Sequence, residues 1–127
     1  PVPCRAGGPA LPDRGLIVRE PWLSLILSGD KTWELRSSST SRRGRIALIG
    51  SGTGRIAGTA ELTGVVGPLS PEELAENVAR HHATEKALAA FPYAKTYAWV
   101  LERPVRFTEA VVYSHPPGAV IWVKLGR

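Results

Sequence analysis

The sequence has a single cysteine, Cys4, and no methionine among its 127 residues. One cysteine cannot form an internal disulfide or a zinc site of several thiolates, and so low a count is typical of a reducing setting. The sequence also lacks an apolar run of the roughly 18 residues that a membrane-spanning helix requires. We therefore expect a cytoplasmic protein with no membrane partner and no cofactor.

Acidic residues are few, with 11 Asp and Glu against 16 Lys and Arg, so the formal net charge is +5. A basic surface favours polyanionic partners because it releases counterions from a phosphate backbone. Twelve of the sixteen cations are arginines, which bind phosphate in bidentate fashion and stack on flat rings. A modest positive excess can also serve only solubility, so the composition alone leaves both interpretations open.

The chain length fits one domain with one core. Residues 1–13 hold four prolines and two glycines without periodicity, so we assign them to a tail and residues 14–127 to the domain. They also lack the long apolar stretch of a secretory signal. Because methionine is absent, we expect the natural start to lie upstream or to have been processed.

The remaining pattern predicts about six strands and three short helices. Ser70, Pro71 and Glu73 form a helix start with a capping box, which opens a helix over about 71–80, and a second helix follows over 84–90. The helical region ends at 91–93. Short β-branched runs separated by glycine-rich turns indicate strands, of which the last three are predicted over 96–102, 105–113 and 119–125, and no βαβ alternation is present. The fold class is therefore α+β, a small and mostly antiparallel β-barrel.

The segment Gly29–Arg36 carries the candidate site. Gly29 is a natural end for the apolar helix that starts at Trp22. If residues 32–36 form a strand, Thr32, Glu34 and Arg36 share one face, while Trp33 and Leu35 point into the core. We predict that Lys31 and this polar face form a cleft, with Trp22 as one wall.

In this order and spacing, the motifs resemble the ASCH (activating signal cointegrator homology) family, whose members share a PUA-like β-barrel. The resemblance runs from about Leu16 to Leu125. It rests on the apolar helix and Gly-x-Lys-Thr-x-Glu-x-Arg at 29–36, and on four further stretches: Arg-Gly-Arg-Ile at 43–46, Gly-x-Ile-x-Gly at 54–58, Tyr-Ala-Trp-Val-Leu at 97–101 and Pro-Gly-Ala-Val-Ile-Trp-Val at 117–123.

The resemblance implies a cleft between the first helix and the barrel that recognises RNA or another nucleic acid. Some small bacterial members are amidohydrolases that deacetylate acetylated cytidine with a Lys, a Thr and a Glu, and ribonuclease activity is also associated with the family. The catalytic Lys falls on Lys31, but Glu34 stands where the Thr is expected. Glu85 is the match for the remaining acid. If the protein is an enzyme, these three residues are its candidate catalytic residues.

Our leading hypothesis is binding of RNA or a modified nucleoside. A carboxylate beside an arginine suits an amino-bearing base edge such as that of cytosine, because an acceptor is needed there. The predicted ligand-binding residues are Trp22, Lys31, Thr32, Glu34 and Arg36. Arg42, Arg43 and Arg45, on a polar loop, are the predicted contacts to the nucleic-acid backbone.

Three alternatives stay open beside this hypothesis. Lys31 can simply pair with the dipole of the preceding helix, and Glu34 with Arg36 can be an ion pair without chemistry. His82 and Glu85 lie one helical turn apart beside His81, but without a clear third ligand we predict no metal site. A module that binds only other proteins would show an exposed apolar patch away from the cleft.

Overall fold

A computed structural model of the protein describes residues 11–90 and 94–125. Within these ranges the chain forms six strands and four short helices. In chain order they are β1 (Arg14–Val18), α1 (Trp22–Ser28), β2 (Trp33–Arg36), β3 (Gly44–Gly50), β4 (Arg55–Val66), α2 (Pro71–Glu76), α3 (Val78–His81), α4 (Glu85–Ala90), β5 (Tyr97–Val112) and β6 (Trp122–Lys124).

The six strands form one curled sheet in the order β2-β5-β4-β3-β1-β6. Neighbouring strands are antiparallel except β1 and β3, which are parallel. The long strands β4 and β5 form the middle of the sheet, and β2 and β6 are its edges. The predicted α+β class with a small and mostly antiparallel β-barrel is thus confirmed, and the sheet forms a half-barrel whose edges are β2 and β6.

Two apolar clusters lie on opposite faces of the sheet, because successive side chains of a strand alternate. On β3, Leu48 belongs to one cluster, while Ala47 and Ile49 belong to the other. The larger cluster combines strand residues with the buried face of α1, so this helix packs across the sheet. Its most deeply buried members include Leu16, Val18, Ile26, Leu48, Leu62 and Trp99.

Four predicted elements differ from the structure. The helix predicted over 71–80 is two helices, since Asn77 leaves the helical conformation between α2 and α3. The strands predicted over 96–102 and 105–113 are one continuous strand. A β-bulge at Arg103, which adopts a φ of 50°, shifts the register of pairing with β4 and lets the strand continue past residues 103 and 104. The strand predicted over 119–125 is confined to Trp122–Lys124. The predicted tail residues 1–10, with Cys4, and the predicted helix end at 91–93 lie outside the described residues.

The predicted core position of Trp33 is wrong. Trp33 is partly exposed and belongs to neither apolar cluster, and the Arg80 guanidinium lies 5.5 Å from its ring centroid. Glu34 faces inward instead, directly opposite the buried Trp99 on β5. The prediction therefore placed the wrong residue in the core, and two cations compensate the buried carboxylate of Glu34.

His81 is fully buried at the end of α3. The backbone N–H of Ala83 donates to its Nδ1 at 2.9 Å, so Nε2 carries the proton and donates to the Leu74 carbonyl at 2.7 Å. Burial lowers the pKa of His81 below the usual value. A neutral His81 thus joins α2 to the residues that follow α3.

Gly58 allows β4 and β5 to approach each other where their pairing is irregular. A Cβ at this position would lie 2.1 Å from the Val105 carbonyl oxygen and 2.7 Å from a Leu27 methyl carbon, whereas a Cβ on Gly64 would meet nothing within 4 Å.

We expect Gly58→Ala to lower the free energy of unfolding by about 1–3 kcal/mol through overpacking. Gly64→Ala is the matched control, expected to stay within about 1 kcal/mol. Urea denaturation of both variants checks this, and equal losses would contradict it.

We also expect the stability that His81 contributes to decrease as the pH is lowered. In the unfolded chain a histidine takes up a proton below about pH 6.5, but buried His81 resists protonation, so acid favours unfolding. The difference in unfolding free energy between wild type and His81→Gln should therefore shrink from pH 7.5 to pH 5.5. Denaturant titrations at several pH values measure both curves, and parallel curves would show that His81 does not titrate in this way.

Candidate functional site

A cavity of about 440 Å³ opens beside the end of α1. Its walls come from α1, β2, α4, the end of β1 and the segment that follows β5. Apolar side chains form much of the lining, and the charged groups of Lys31, Glu34 and Arg36 meet on one side. The volume lies within the range of small-molecule sites, so it can enclose a group the size of a nucleobase.

Lys31 is held rigidly at the base of this cavity. Gly29 ends α1 in a left-handed conformation, and the chain then turns so that the Lys31 side chain is only 2% exposed. Its Nζ donates to the Trp33 and His81 carbonyls, at 2.5 Å each, and lies 3.5 Å from Glu34 Oε1. Two of the three N–H donors of the ammonium thus bind carbonyl oxygens, and the Glu34 carboxylate is an ion-pair partner.

Burial is the main cause that lowers the pKa of Lys31, and the Glu34 carboxylate opposes this effect. The lowered pKa would suit a general base. A proton acceptor, however, also needs a free lone pair directed at substrate, whereas the carbonyls of Trp33 and His81 accept bonds from this ammonium. In this geometry Lys31 stabilises the charge of Glu34 and joins α3 to β2.

Glu34 and Arg36 form the second half of the charged group. Arg36 donates from Nε and Nη2 to one oxygen, Oε2 of Glu34, at 3.2 and 2.9 Å, and from Nη2 to the Ile17 carbonyl at 2.7 Å. Arg36 thereby joins the edge strand β2 to β1. The other oxygen of Glu34, Oε1, has only its longer contact with Lys31 and retains capacity to accept from a ligand.

The structure brings four of the five predicted ligand-binding residues together. Trp22, Lys31, Glu34 and Arg36 line the cavity, with Trp22 on the first turn of α1. Thr32 is not in the lining: its backbone pairs instead with Arg80 and Leu101. Glu85 is exposed on α4 and is also outside the lining, although later residues of that helix contribute to it.

Sequence reasoning missed His115 at the cavity. Its Nδ1 lies 2.7 Å from the Tyr113 hydroxyl and its Nε2 2.8 Å from the Ala119 carbonyl, so both ring nitrogens are engaged. The loop that carries His115 has no periodicity from which its path could be inferred. Only the return of β6 to pair with β1 brings this loop to the cavity.

Arg42, Arg43 and Arg45 line a different depression, also about 440 Å³, together with Arg14 and Lys124. It lies at the start of β1, whereas the cavity lies at the end of that strand. The predicted backbone contacts are therefore clustered, but outside the cavity that holds Lys31.

Within the described ranges, no group of three or more His, Cys, Asp or Glu side chains is arranged to hold a metal. The helices of residues 11–90 and 94–125 include none that is long and apolar enough to cross a membrane.

The geometry can be compared with known proteins. The family model described as ASCH domain matches residues 16–110. The crystal structure of ASCH from Zymomonas mobilis superimposes with a TM-score of 0.71 at 16% identity, covering 90% of this chain and 87% of that chain. A single-substitution variant of the same Zymomonas mobilis protein gives 0.72 at 16% identity, covering 90% of each chain.

No curated protein sequence matches the chain. At 16% identity the structural similarity shows the fold alone, while the family model spans most of the chain. The charged cavity described above lies largely within the matched residues. The chain belongs to the ASCH domain family.

Proposed function

We propose that the cavity binds a single nucleobase, from RNA or from a modified nucleoside. The observation that supports this most is the orientation of Glu34, whose carboxylate is fixed by Arg36 through one oxygen and retains acceptor capacity on the other. A rigid acceptor in a half-enclosed cavity can select a base by its hydrogen-bonding edge.

The chemistry of Glu34 favours a base with an exocyclic amino group. An ionised carboxylate only accepts hydrogen bonds, so it pairs with the amino group of cytosine or adenine and opposes the carbonyl of uracil at that position. Glu34 is only 7% exposed, so a mismatched carbonyl would have little water to compensate the repulsion. We therefore propose cytosine-like or adenine-like ligands.

Trp22 provides the second element of base recognition. Its indole lines the cavity and also packs against the larger apolar cluster, so its position is restrained by packing. An aromatic ring at the side of a cavity can stack on a base of any sequence, while Glu34 reads the edge. Together the two residues supply affinity and selectivity.

The amidohydrolase and ribonuclease alternatives have less support from the same geometry. Lys31 uses its donors on protein groups, Glu34 replaces the expected threonine, and Glu85 does not line the cavity. Binding without turnover needs neither a free Lys31 amine, nor a threonine at position 34, nor an acid at Glu85. We therefore propose binding first.

Removing the indole at Trp22 tests the proposal. Stacking of one base contributes about 1–3 kcal/mol, so we expect Trp22→Leu to weaken cytidine binding by about five- to 150-fold. Trp33→Leu is the matched control, because Trp33 is partly exposed and does not line the cavity. Isothermal titration with cytidine and uridine measures both effects.

Circular dichroism of both variants should first confirm that each remains folded. Wild type should bind cytidine at least about tenfold more tightly than uridine, the discrimination expected of a well-placed hydrogen-bonding pair. Equal loss of affinity in the Trp22 and Trp33 variants, or equal binding of the two nucleosides, would contradict the proposed site.

A further inference from the structure

A basic groove lies at the opposite end of β1 from the cavity. Arg14 and Lys124 are direct partners across β1 and β6, so their side chains share a face of the sheet. The loop before β3 and the start of β3 bring the other cations beside them. We define the basic groove by its charged lining: Asp13, Arg14, Arg42, Arg43, Arg45 and Lys124.

The basic groove has little internal charge compensation. Asp13 is its one acidic lining residue, and residues 1–10, which precede it in the chain, contain no Asp or Glu. Four of its cations form no ion pair with a described carboxylate: Arg14, Arg42, Arg43 and Lys124. Like charges held this close repel one another, so a bound anion would stabilise the arrangement.

The identity of the cations indicates the kind of anion. Four of the five are arginines, whose planar guanidinium binds phosphate oxygens in pairs. They extend over four separate elements, the start of β1, the loop before β3, the start of β3 and the end of β6, so they surround an elongated ligand better than one ion. This arrangement fits successive phosphates of a polyanion.

A chain of flat groups joins the basic groove to the cavity. The Arg36 guanidinium lies 5.7 Å from the Trp99 ring centroid, Trp99 stacks on Trp122 at 5.6 Å and 19°, and Arg42 lies 5.2 Å from the Trp122 centroid. Arg36 lines the cavity and Arg42 lines the basic groove. These three distances limit the separation of the two guanidiniums to about 17 Å, a span within reach of a strand of about four nucleotides.

We propose that the basic groove binds consecutive phosphates of a single-stranded nucleic acid whose base enters the cavity. This inference rests on the proposed function for the choice of nucleic acid as ligand, but the charges of the groove are independent of the cavity. The protein then reads one base at the cavity and gains length-dependent affinity at the groove. Arg14 and Lys124 act with the three arginines that sequence reasoning assigned to the backbone.

The test compares two double variants with the same change in charge. Arg14→Gln/Lys124→Gln removes two cations from the basic groove, while Arg55→Gln/Lys95→Gln removes two exposed cations that line neither cavity nor groove. Fluorescence anisotropy measures binding of a labelled RNA of about six nucleotides at several salt concentrations, and calorimetry measures binding of cytidine.

We expect the groove variant to bind the RNA about tenfold more weakly and to lower the slope of log affinity against log salt by about 1.4, or about 0.7 for each lost phosphate contact. Its affinity for cytidine should equal that of wild type. A groove variant that matches the control variant would overturn the proposal.

Two further outcomes separate the groove from the cavity and from other anions. If cytidine does not bind wild type but the groove variant still loses RNA affinity, the proposed base site fails and the phosphate site stands. If inorganic tripolyphosphate displaces the RNA as effectively, at equal phosphate concentration, as unlabelled RNA does, the groove is a site for free polyphosphate and the inference is overturned.

Discussion

The buried Glu34 carboxylate, held between Lys31 and Arg36, is the interaction on which the rest of the site depends. A carboxylate with 7% exposure is unfavourable unless it is paired, and here it faces two cations. The cations extend the arrangement outward, since Lys31 bonds to the end of α3 and Arg36 bonds to β1. One carboxylate therefore joins an edge strand, a helix and the opposite part of the curled sheet.

This arrangement is the reason why we propose recognition, and not chemistry, at the cavity. The donors of Lys31 are used within the protein, and Arg36 is fixed by both a carboxylate and a carbonyl. Such groups are preorganised, so a ligand would not have to order them on binding. The remaining acceptor capacity of Glu34, beside an indole, is the feature best suited to a base with an amino group.

The sequence was sufficient for the number of strands but not for their bounds after residue 96. It was also sufficient for the capping box at Ser70 and the grouping of Lys31, Glu34 and Arg36, because these depend on local spacing and on family motifs. It was not sufficient to show that Glu34 is buried and Trp33 partly exposed, since alternation gives two faces without saying which face meets the core. His115 and the partnership of Arg14 with Lys124 could not be predicted either. Both depend on β6 returning to β1 across more than 100 residues of chain.

The central claim, that the cavity binds a nucleobase, is tested most directly by the indole signals of the four tryptophans in a ¹⁵N–¹H correlation spectrum. Trp22 lines the cavity, Trp99 and Trp122 stack between cavity and groove, and Trp33 is outside both. On titration with cytidine, our account predicts that the Trp22 signal shifts most and saturates, while the Trp33 signal stays in place. An unchanged Trp22 signal, or a largest shift at Trp33, would contradict the account.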